Sequence, residues 1–251
     1  MSRSQPVDRE PELALFDRMI AVRTTERILL LRASGGIGKS TLIGEFRKRC
    51  PARLPIAHVD FKNGGGGQAE LFARICDKLG RARFPNVTAA IRPLISQSSV
   101  NISDNTMLGR AAFDIALGGA DEKQREFQLA EVTSAFCDDL RALGRAVLLF
   151  DTFEDCDASL RKWIGGALLG RVELMPELVV VIAGREVPPL SSEWQHLCHE
   201  VTLEGMAHEH WHHYAEAIGA TVTLEFVHGC CVALQGNSLF IAGILERETR
   251  R

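Results

Sequence analysis

Long apolar runs are missing from this chain of 251 residues, and so is any strong excess of charge. No stretch approaches the roughly 20 apolar residues of a membrane span, and the start MSRSQPVDRE lacks the apolar segment of a signal peptide. The 29 basic and 32 acidic residues give a net charge of -3, which favours neither nucleic acid nor an anionic membrane. We therefore expect a cytoplasmic protein with no membrane contact, and nucleic acid is not the expected partner.

Paired cysteine motifs are also lacking. The seven cysteines are odd in number and show no CxxC spacing, so the sequence indicates neither a disulfide framework nor a cysteine zinc site. Reduced thiols, mostly buried, are expected. With 46% hydrophobic and 24% charged residues, the composition fits one α/β domain with a small appendage.

The segment LLLRASGGIGKST, residues 29–41, contains the strongest motif. An apolar strand leads into a glycine-rich turn that ends in Gly-Lys-Ser-Thr, and its glycines can adopt positive φ so that backbone N–H groups point at phosphate oxygens. Lys39 would reach the β- and γ-phosphates, and the Ser40 hydroxyl would bind Mg²⁺. Ala33 replaces the first glycine of the usual pattern, which adds one methyl group. The predicted nucleotide-binding residues of this loop are Gly35, Gly36, Ile37, Gly38, Lys39, Ser40 and Thr41.

A second motif is AVLLFD, residues 146–151, which is continuously apolar and then acidic. This pattern is typical of a strand that is buried on both faces and places a carboxylate at its carboxyl end. Asp151 alone could simply end a strand. Because a phosphate-binding loop precedes it in an α/β pattern, we interpret Asp151 as the acidic residue that binds Mg²⁺ together with Ser40.

Two further charged residues follow strands of the predicted sheet. Glu154 comes shortly after Asp151 and is the candidate base that positions the attacking water; alternatively, it is a solvated acid at a helix start. Arg185 follows the apolar strand LVVVIA, residues 178–183, and is a candidate sensor of the γ-phosphate; alternatively, it caps a helix or pairs with a surface acid. The predicted catalytic residues are Lys39, Asp151, Glu154 and Arg185.

The stretch from 81 to about 120 has a polar centre, SQSSVNISDNT, without a convincing period. A long irregular stretch inside a domain is usually functional or mobile. We therefore predict an irregular insertion over residues 81–120.

Together, GGIGKST, VLLFDTFED, VVVIAGR and the start VDREPELALF resemble the STAND class of signal-transduction P-loop NTPases, an AAA+-related group that includes NB-ARC and NACHT proteins. The resemblance implies an α/β fold with a parallel five-stranded sheet in the order 5-1-4-3-2, flanked by helices. It implies a nucleotide-binding domain over 1–203 and a small helical lid over 204–251. Arg9 would lie near the nucleotide, which would be ATP or ADP with Mg²⁺.

Two departures from the family pattern concern the lid and the chain length. The lid motif Gly-x-Pro appears as Gly236, Asn237 and Ser238, without the proline that would contact the base. The 251 residues leave no room for the sensor repeats that usually follow, so the chain is either the core of a longer protein or acts with partners. The resemblance implies a homo-oligomer in the ATP state and an effector or sensor protein, either as a separate partner or in flanking domains.

The segment around residue 208 contains a pattern of a different kind. His208, Glu209 and His212 match HExxH, in which two histidines one turn apart can bind zinc. No third ligand lies at a recognised spacing. We therefore interpret the segment as the first lid helix, packed through Trp211 or Tyr214.

Three functions are compatible with these motifs. The first is an ATP-binding, slowly hydrolysing switch of the STAND type, whose nucleotide state controls the lid, self-association and an effector, with prokaryotic defence as a family-level expectation. The second is an AAA+-like motor or loader associated with nucleic acid, for which stimulated turnover and salt-sensitive binding would be the signs. The third is a scaffold that binds nucleotide without turnover.

Overall fold

One parallel sheet of five strands organises the chain, in the order β2-β3-β4-β1-β5. The computed structural model describes residues 9–62, 67–96, 108–118 and 121–249. The strands are β1 (Ile28–Arg32), β2 (Ile56–Asp60), β3 (Ala146–Asp151), β4 (Leu178–Gly184) and β5 (Cys198–Thr202). This order, counted from the opposite edge, is the 5-1-4-3-2 order that the resemblance implied, so the predicted fold class is confirmed.

The α-helices of the described residues lie between the strands and after the last one. They are α1 (Glu10–Ile20), α2 (Lys39–Arg49), α3 (Gly67–Leu79), α4 (Pro85–Ser96), α5 (Arg110–Ala116), α6 (Glu122–Ala142), α7 (Ala158–Lys162), α8 (His208–Ile218), α9 (Leu224–Ala233) and α10 (Ser238–Glu248). A π-helical turn, Trp163–Leu168, and a 3₁₀ segment, Leu169–Leu174, continue α7. None of the helices in these ranges is long and apolar enough to cross a membrane.

The apolar runs occupy the centre of the sheet, as their composition predicts. Every residue of β3 and β4 is buried, while the edge strands β2 and β5 keep partly exposed positions. Central strands are covered on both faces, so they need apolar side chains at every position, whereas edge strands do not. Because the strands are parallel, the loops after β1, β3 and β4 meet at one edge of the sheet.

Two hydrophobic layers cover the two faces of the sheet. Helices α1 and α2 pack on one face, where Phe16 stacks on Phe46 with ring centroids 4.3 Å apart. Helices α3 to α6 and the segment after β3 cover the other face, around Phe72, Phe136 and Trp163. Burying the sheet on both sides keeps its carboxyl edge in place for a binding site.

The prediction of an irregular insertion over 81–120 is wrong where the structure describes the chain. Helices α4 and α5 lie within it, and Val87, Ile91 and Phe113 belong to the main core. Helix α4 contains an internal proline, and its N-terminus is capped by Asp139 of α6, which accepts hydrogen bonds from the main-chain N–H of Val87 at 2.9 Å and of its neighbour at 3.2 Å. A cap from a distant residue leaves no local sequence signal. The polar centre of the stretch, residues 97–107, lies outside the described residues.

The last three helices form a small unit with its own core. Trp211 and Ala215 of α8 pack against Val227 of α9 and against Ile241 and Leu245 of α10. The predicted C-terminal helices are therefore present, and Trp211 is the buried residue of the first one. The division of the chain into domains 1–203 and 204–251 stays a prediction.

Candidate nucleotide-binding site

The phosphate-binding loop lies between β1 and α2, at the carboxyl edge of the sheet. Gly36 and Gly38 have φ of +81° and +99°, a region that residues with a side chain rarely adopt. Gly38 is also the N-cap of α2, so the positive end of the helix dipole faces the loop. A Cβ at Gly35 would lie 3.2 Å from Nη2 of Arg185. The glycine pattern found in the sequence therefore has the local geometry that phosphate binding requires.

Lys39 begins α2 and folds back over the loop. Its Nζ donates to the carbonyl oxygens of Ala33 at 2.6 Å and Ser34 at 2.9 Å. Burial lowers the pKa of Lys39, while the nearby carboxylates of Glu154 and Asp151 act in the opposite direction. The ammonium group thus contacts the loop carbonyls, and the negative charges of the two predicted acidic residues act on it.

Asp151 ends β3 and is only 3% exposed. The N–H of Thr152 donates to its Oδ1 at 2.9 Å. Burial raises the pKa of Asp151; the Ser40 side chain and the Thr152 N–H oppose this, and the neighbouring Asp60 adds to it. Ser40 and Asp151 are thus neighbours, and their role as metal ligands stays a prediction.

A magnesium ion fits this donor set. Mg²⁺ prefers oxygen ligands and is usually held by one or two carboxylates, substrate phosphates and waters. Ser40 and Asp151 are the residues that would hold it, and the buried carboxylate would gain a compensating charge. Bound there with a nucleotide, Mg²⁺ would neutralise charge on the phosphates.

Sequence reasoning missed a contact beside this site. Thr152 has φ of +59°, unusual for a β-branched residue, and its Oγ1 donates to Oδ1 of Asp60 at 2.9 Å. The N–H of Lys62 donates to the same oxygen at 2.9 Å. Asp60 ends β2 in register with Asp151. Its place at the end of the strand IAHVD was the available signal, because parallel strands align their carboxyl ends.

Glu154 and Arg185 contact each other directly. The N–H of Arg185 donates to Oε2 of Glu154 at 2.8 Å, and the guanidinium Nε lies 3.5 Å from Oε1. Glu154 lies in a short 3₁₀ turn, Phe153–Asp155, and its side chain is 17% exposed, so it is not the solvated acid of the alternative interpretation. Arg161 supports this turn by donating from Nε to the carbonyl oxygen of Cys156 at 2.9 Å. The catalytic roles of Glu154 and Arg185 stay predictions.

Arg9 reaches the same edge of the sheet from the start of α1. Its Nη2 donates to the carbonyl oxygen of Glu204, which follows β5, at 2.5 Å. Glu204 lines the cleft described next, so Arg9 lies beside the site rather than in the phosphate loop. Its contact with a nucleotide stays a prediction.

A cleft of about 740 Å³ opens between the phosphate loop, the end of β5 and the lid. Its walls come from the loop with Gly35 and Ile37, from Arg185, and from the lid residues Leu234 and Asn237. Small-molecule sites commonly measure about 300–1,000 Å³. The cleft is therefore large enough for a nucleotide whose phosphates lie on the loop.

The residues of the HExxH pattern are engaged in other contacts. The ring of His208 packs on that of His228 with centroids 4.5 Å apart, and Nε2 of His212 lies 3.2 Å from the carbonyl oxygen of Val222. No group of three or more His, Cys, Asp or Glu side chains able to hold a metal occurs in the parts of the chain that the structure describes. The pattern here belongs to a lid helix.

Comparison with known proteins agrees with this geometry. The family model for the AAA ATPase domain matches residues 5–182. The chain belongs to the AAA ATPase domain family. This family assignment supports nucleotide binding and ATPase activity for the chain. A comparison with curated protein sequences finds no significant match.

Two solved structures share the fold of this AAA ATPase domain. One is a Signal Transduction ATPase with Numerous Domains (STAND) protein with a tetratricopeptide repeat sensor from Pyrococcus horikoshii, with a TM-score of 0.59 and 16% identity. The match covers 97% of this chain and 30% of that protein. The other is a Walker-type ATPase of Pyrococcus abyssi, with a TM-score of 0.55, 15% identity, and coverage of 97% and 68%. At these identities they show the fold alone, and that fold is the one implied by the resemblance to STAND-class P-loop NTPases.

Proposed function

We propose that this chain is an ATP-dependent molecular switch of the STAND type. It binds ATP with Mg²⁺, hydrolyses it slowly, and changes lid position and self-association with the nucleotide. The observation that supports this proposal best is that the lid forms a wall of the nucleotide cleft, through Leu234 and Asn237. A ligand in the cleft therefore contacts both the phosphate-binding loop and the lid, and its binding favours the lid position that fits it.

The proposed roles of the site residues follow from their positions. Lys39 and the loop amides bind the phosphates, and Ser40 with Asp151 holds Mg²⁺. Glu154 polarises the attacking water, and Arg185 responds to the γ-phosphate. Slow turnover is consistent with the contacts of Glu154, because the hydrogen bond from the main-chain N–H of Arg185 stabilises the charged carboxylate and makes it a weaker base.

Nucleotide binding can supply enough free energy for a switch. A nucleotide present at about a thousand times its dissociation constant stabilises the form that binds it by roughly 4 kcal/mol. Two lid positions that differ by less than this would exchange populations on binding. The free energy is available without hydrolysis, and hydrolysis would then reset the switch.

The proposed output is self-association, together with contact to an effector or sensor protein. Light scattering on the chain with ATP, with ADP and without nucleotide tests it, and we expect a larger mass with ATP. Lys39→Ala is the control, since it should stay at one mass in all conditions. Identical masses for the wild-type chain in the three conditions would remove the switch from the proposal. A role in prokaryotic defence is supported only by the resemblance.

The scaffold alternative differs from the switch in one measurable property. The contacts between Glu154 and Arg185 also fit a protein that binds nucleotide without hydrolysing it. Phosphate release under multiple-turnover conditions separates the two functions. Release that stops below one phosphate per chain would favour the scaffold.

A further inference from the structure

The lid and the phosphate-binding loop are joined by a main-chain hydrogen bond. The N–H of Ser238 donates to the carbonyl oxygen of Gly36 at 2.7 Å. Ser238 is the first residue of α10, after the N-cap Asn237. The first N–H groups of a helix have no partner within the helix, so this donor is available to a neighbouring segment.

This bond determines which way one peptide of the loop points. In a planar trans peptide, the carbonyl oxygen and the following N–H point in opposite directions. The Gly36 carbonyl points at the lid, so the N–H of Ile37 points away from it. Ile37 is among the loop residues predicted to bind phosphate.

We propose that the Ser238 N–H holds the Gly36–Ile37 peptide in its phosphate-binding orientation and so couples the lid to the nucleotide. This inference rests on the proposed nucleotide binding and adds a positioning residue to it. With the lid in contact, the loop is preorganised for phosphate. If the lid leaves, the peptide loses the bond that orients it, and phosphate binding weakens by the same coupling free energy.

The coupling depends on a departure of this chain from the family pattern. A proline at position 238, as in Gly-x-Pro, has no N–H and could not make the bond. Asn237 supports the arrangement, since its Oδ1 accepts from the N–H of Leu239 at 3.2 Å and of Phe240 at 3.4 Å. Its Nδ2 also lies 3.5 Å from the carbonyl oxygen of Gly35.

Two glycine contacts bring the main chains close enough for this bond. A Cβ at Gly36 would lie 2.3 Å from Oδ1 of Asn237, so a side chain there would displace the Asn237 amide group from the loop. A Cβ at Gly236 would lie 2.9 Å from the Cα of Gly205, which follows β5. The lid turn therefore packs on the loop through the Asn237 side chain and on the end of β5 through main-chain contact.

Two substitutions at one position isolate the hydrogen bond. Ser238→Ala keeps the N–H, whereas Ser238→Pro removes it, and proline is well tolerated at the first position of a helix. The extended conformation of Asn237 also suits a residue that precedes proline. By calorimetry, we expect Ser238→Ala to bind ADP and ATP as the wild type does and Ser238→Pro to bind both about 3- to 10-fold more weakly.

A hydrogen-exchange readout separates coupling from simple loss of lid stability. In the wild type and in Ser238→Ala, ADP should slow exchange in both the loop and residues 236–240. In Ser238→Pro, the loop should respond and the lid should not. Equal affinities for the two variants, with a lid response in both, would overturn the inference.

The hydrogen bond between Ser238 and Gly36 can also be tested by amide exchange in the wild-type chain alone. Exchange of the Ser238 amide without nucleotide should be slower than that of Leu224, the first residue of α9. Equally fast exchange would overturn the inference even if Ser238→Pro failed to fold. A wild-type chain that binds neither ADP nor ATP would overturn the proposed function instead, while Ser238 exchange would still decide whether the bond between lid and loop forms.

Discussion

The Ser40 side chain, in the first turn of α2, lowers the pKa of Asp151 at the end of β3, so the two residues are close neighbours. The sequence predicted Asp151 as a magnesium ligand only together with Ser40, because the phosphate-binding loop precedes it. The structure places the two residues side by side, and their role as metal ligands stays a prediction. The Ser40 side chain favours the charged form of Asp151 and so partly offsets the cost of burying that carboxylate.

Replacing Asp151 by Asn should raise the stability of the chain without nucleotide but remove the effect of Mg²⁺ on ATP binding. Burial raises the pKa of Asp151 in the folded chain, so the folded state binds the proton more tightly than the unfolded state. Stability is therefore lost as the pH rises from the ordinary carboxyl value through the raised value. Asp151→Asn cannot ionise, so at neutral pH it should have a higher Tm than the wild type without nucleotide.

The same variant should lose the benefit of magnesium. Calorimetry with and without Mg²⁺ should show that Mg²⁺ no longer tightens ATP binding to Asp151→Asn. Asp155→Asn, at an exposed position of the next turn, is the control and should behave as the wild type. A Mg²⁺ effect of wild-type size in Asp151→Asn would place the metal elsewhere.

Lys39→Ala should abolish tight nucleotide binding. The ammonium group would otherwise donate to phosphate oxygens, and its loss should weaken ATP binding by about 100-fold or more. Isothermal titration measures this directly, and Lys48→Ala on the exposed end of α2 should bind normally. Unchanged affinity in Lys39→Ala would overturn the assignment of the loop.

Glu154→Gln should leave nucleotide binding intact and slow phosphate release by about 100-fold, because an amide cannot accept the proton of the attacking water. The amide oxygen can still accept from the N–H of Arg185, so the turn should keep its shape. Single-turnover phosphate release and calorimetry together give the two numbers. If turnover persists at the wild-type rate, another group positions the water, and Asp60, bound to Thr152, is the next to test.

Asp139→Ala tests the helix that sequence analysis missed. The carboxylate accepts from the main-chain N–H of Asn86 and Val87 and from the Asn86 amide, so its removal leaves buried donors unpaired. We expect a loss of about 2–3 kcal/mol in the free energy of unfolding, measured with urea. Asp138→Ala, which removes only a surface pair with Arg141, should cost less than about 1 kcal/mol. Equal losses for the two variants would argue against the cap.

Local patterns predicted the parts of the fold that depend on neighbouring residues. The apolar runs of β3 and β4 predicted buried strands, and the glycines at 36 and 38 predicted positive φ. Helix α4 was missed because its cap comes from another helix and a proline interrupts its pattern.

The amino-acid sequence by itself determined that this chain has a phosphate-binding loop and an acidic strand, because those features depend on residue type and spacing. The strand order was implied by the resemblance to a known family. Only the tertiary structure decided that Glu154 is paired with Arg185, that Thr152 contacts Asp60, and that Ser238 bonds to Gly36. These contacts join residues far apart in the chain. Their distances depend on how the helices and strands pack, which no local pattern encodes.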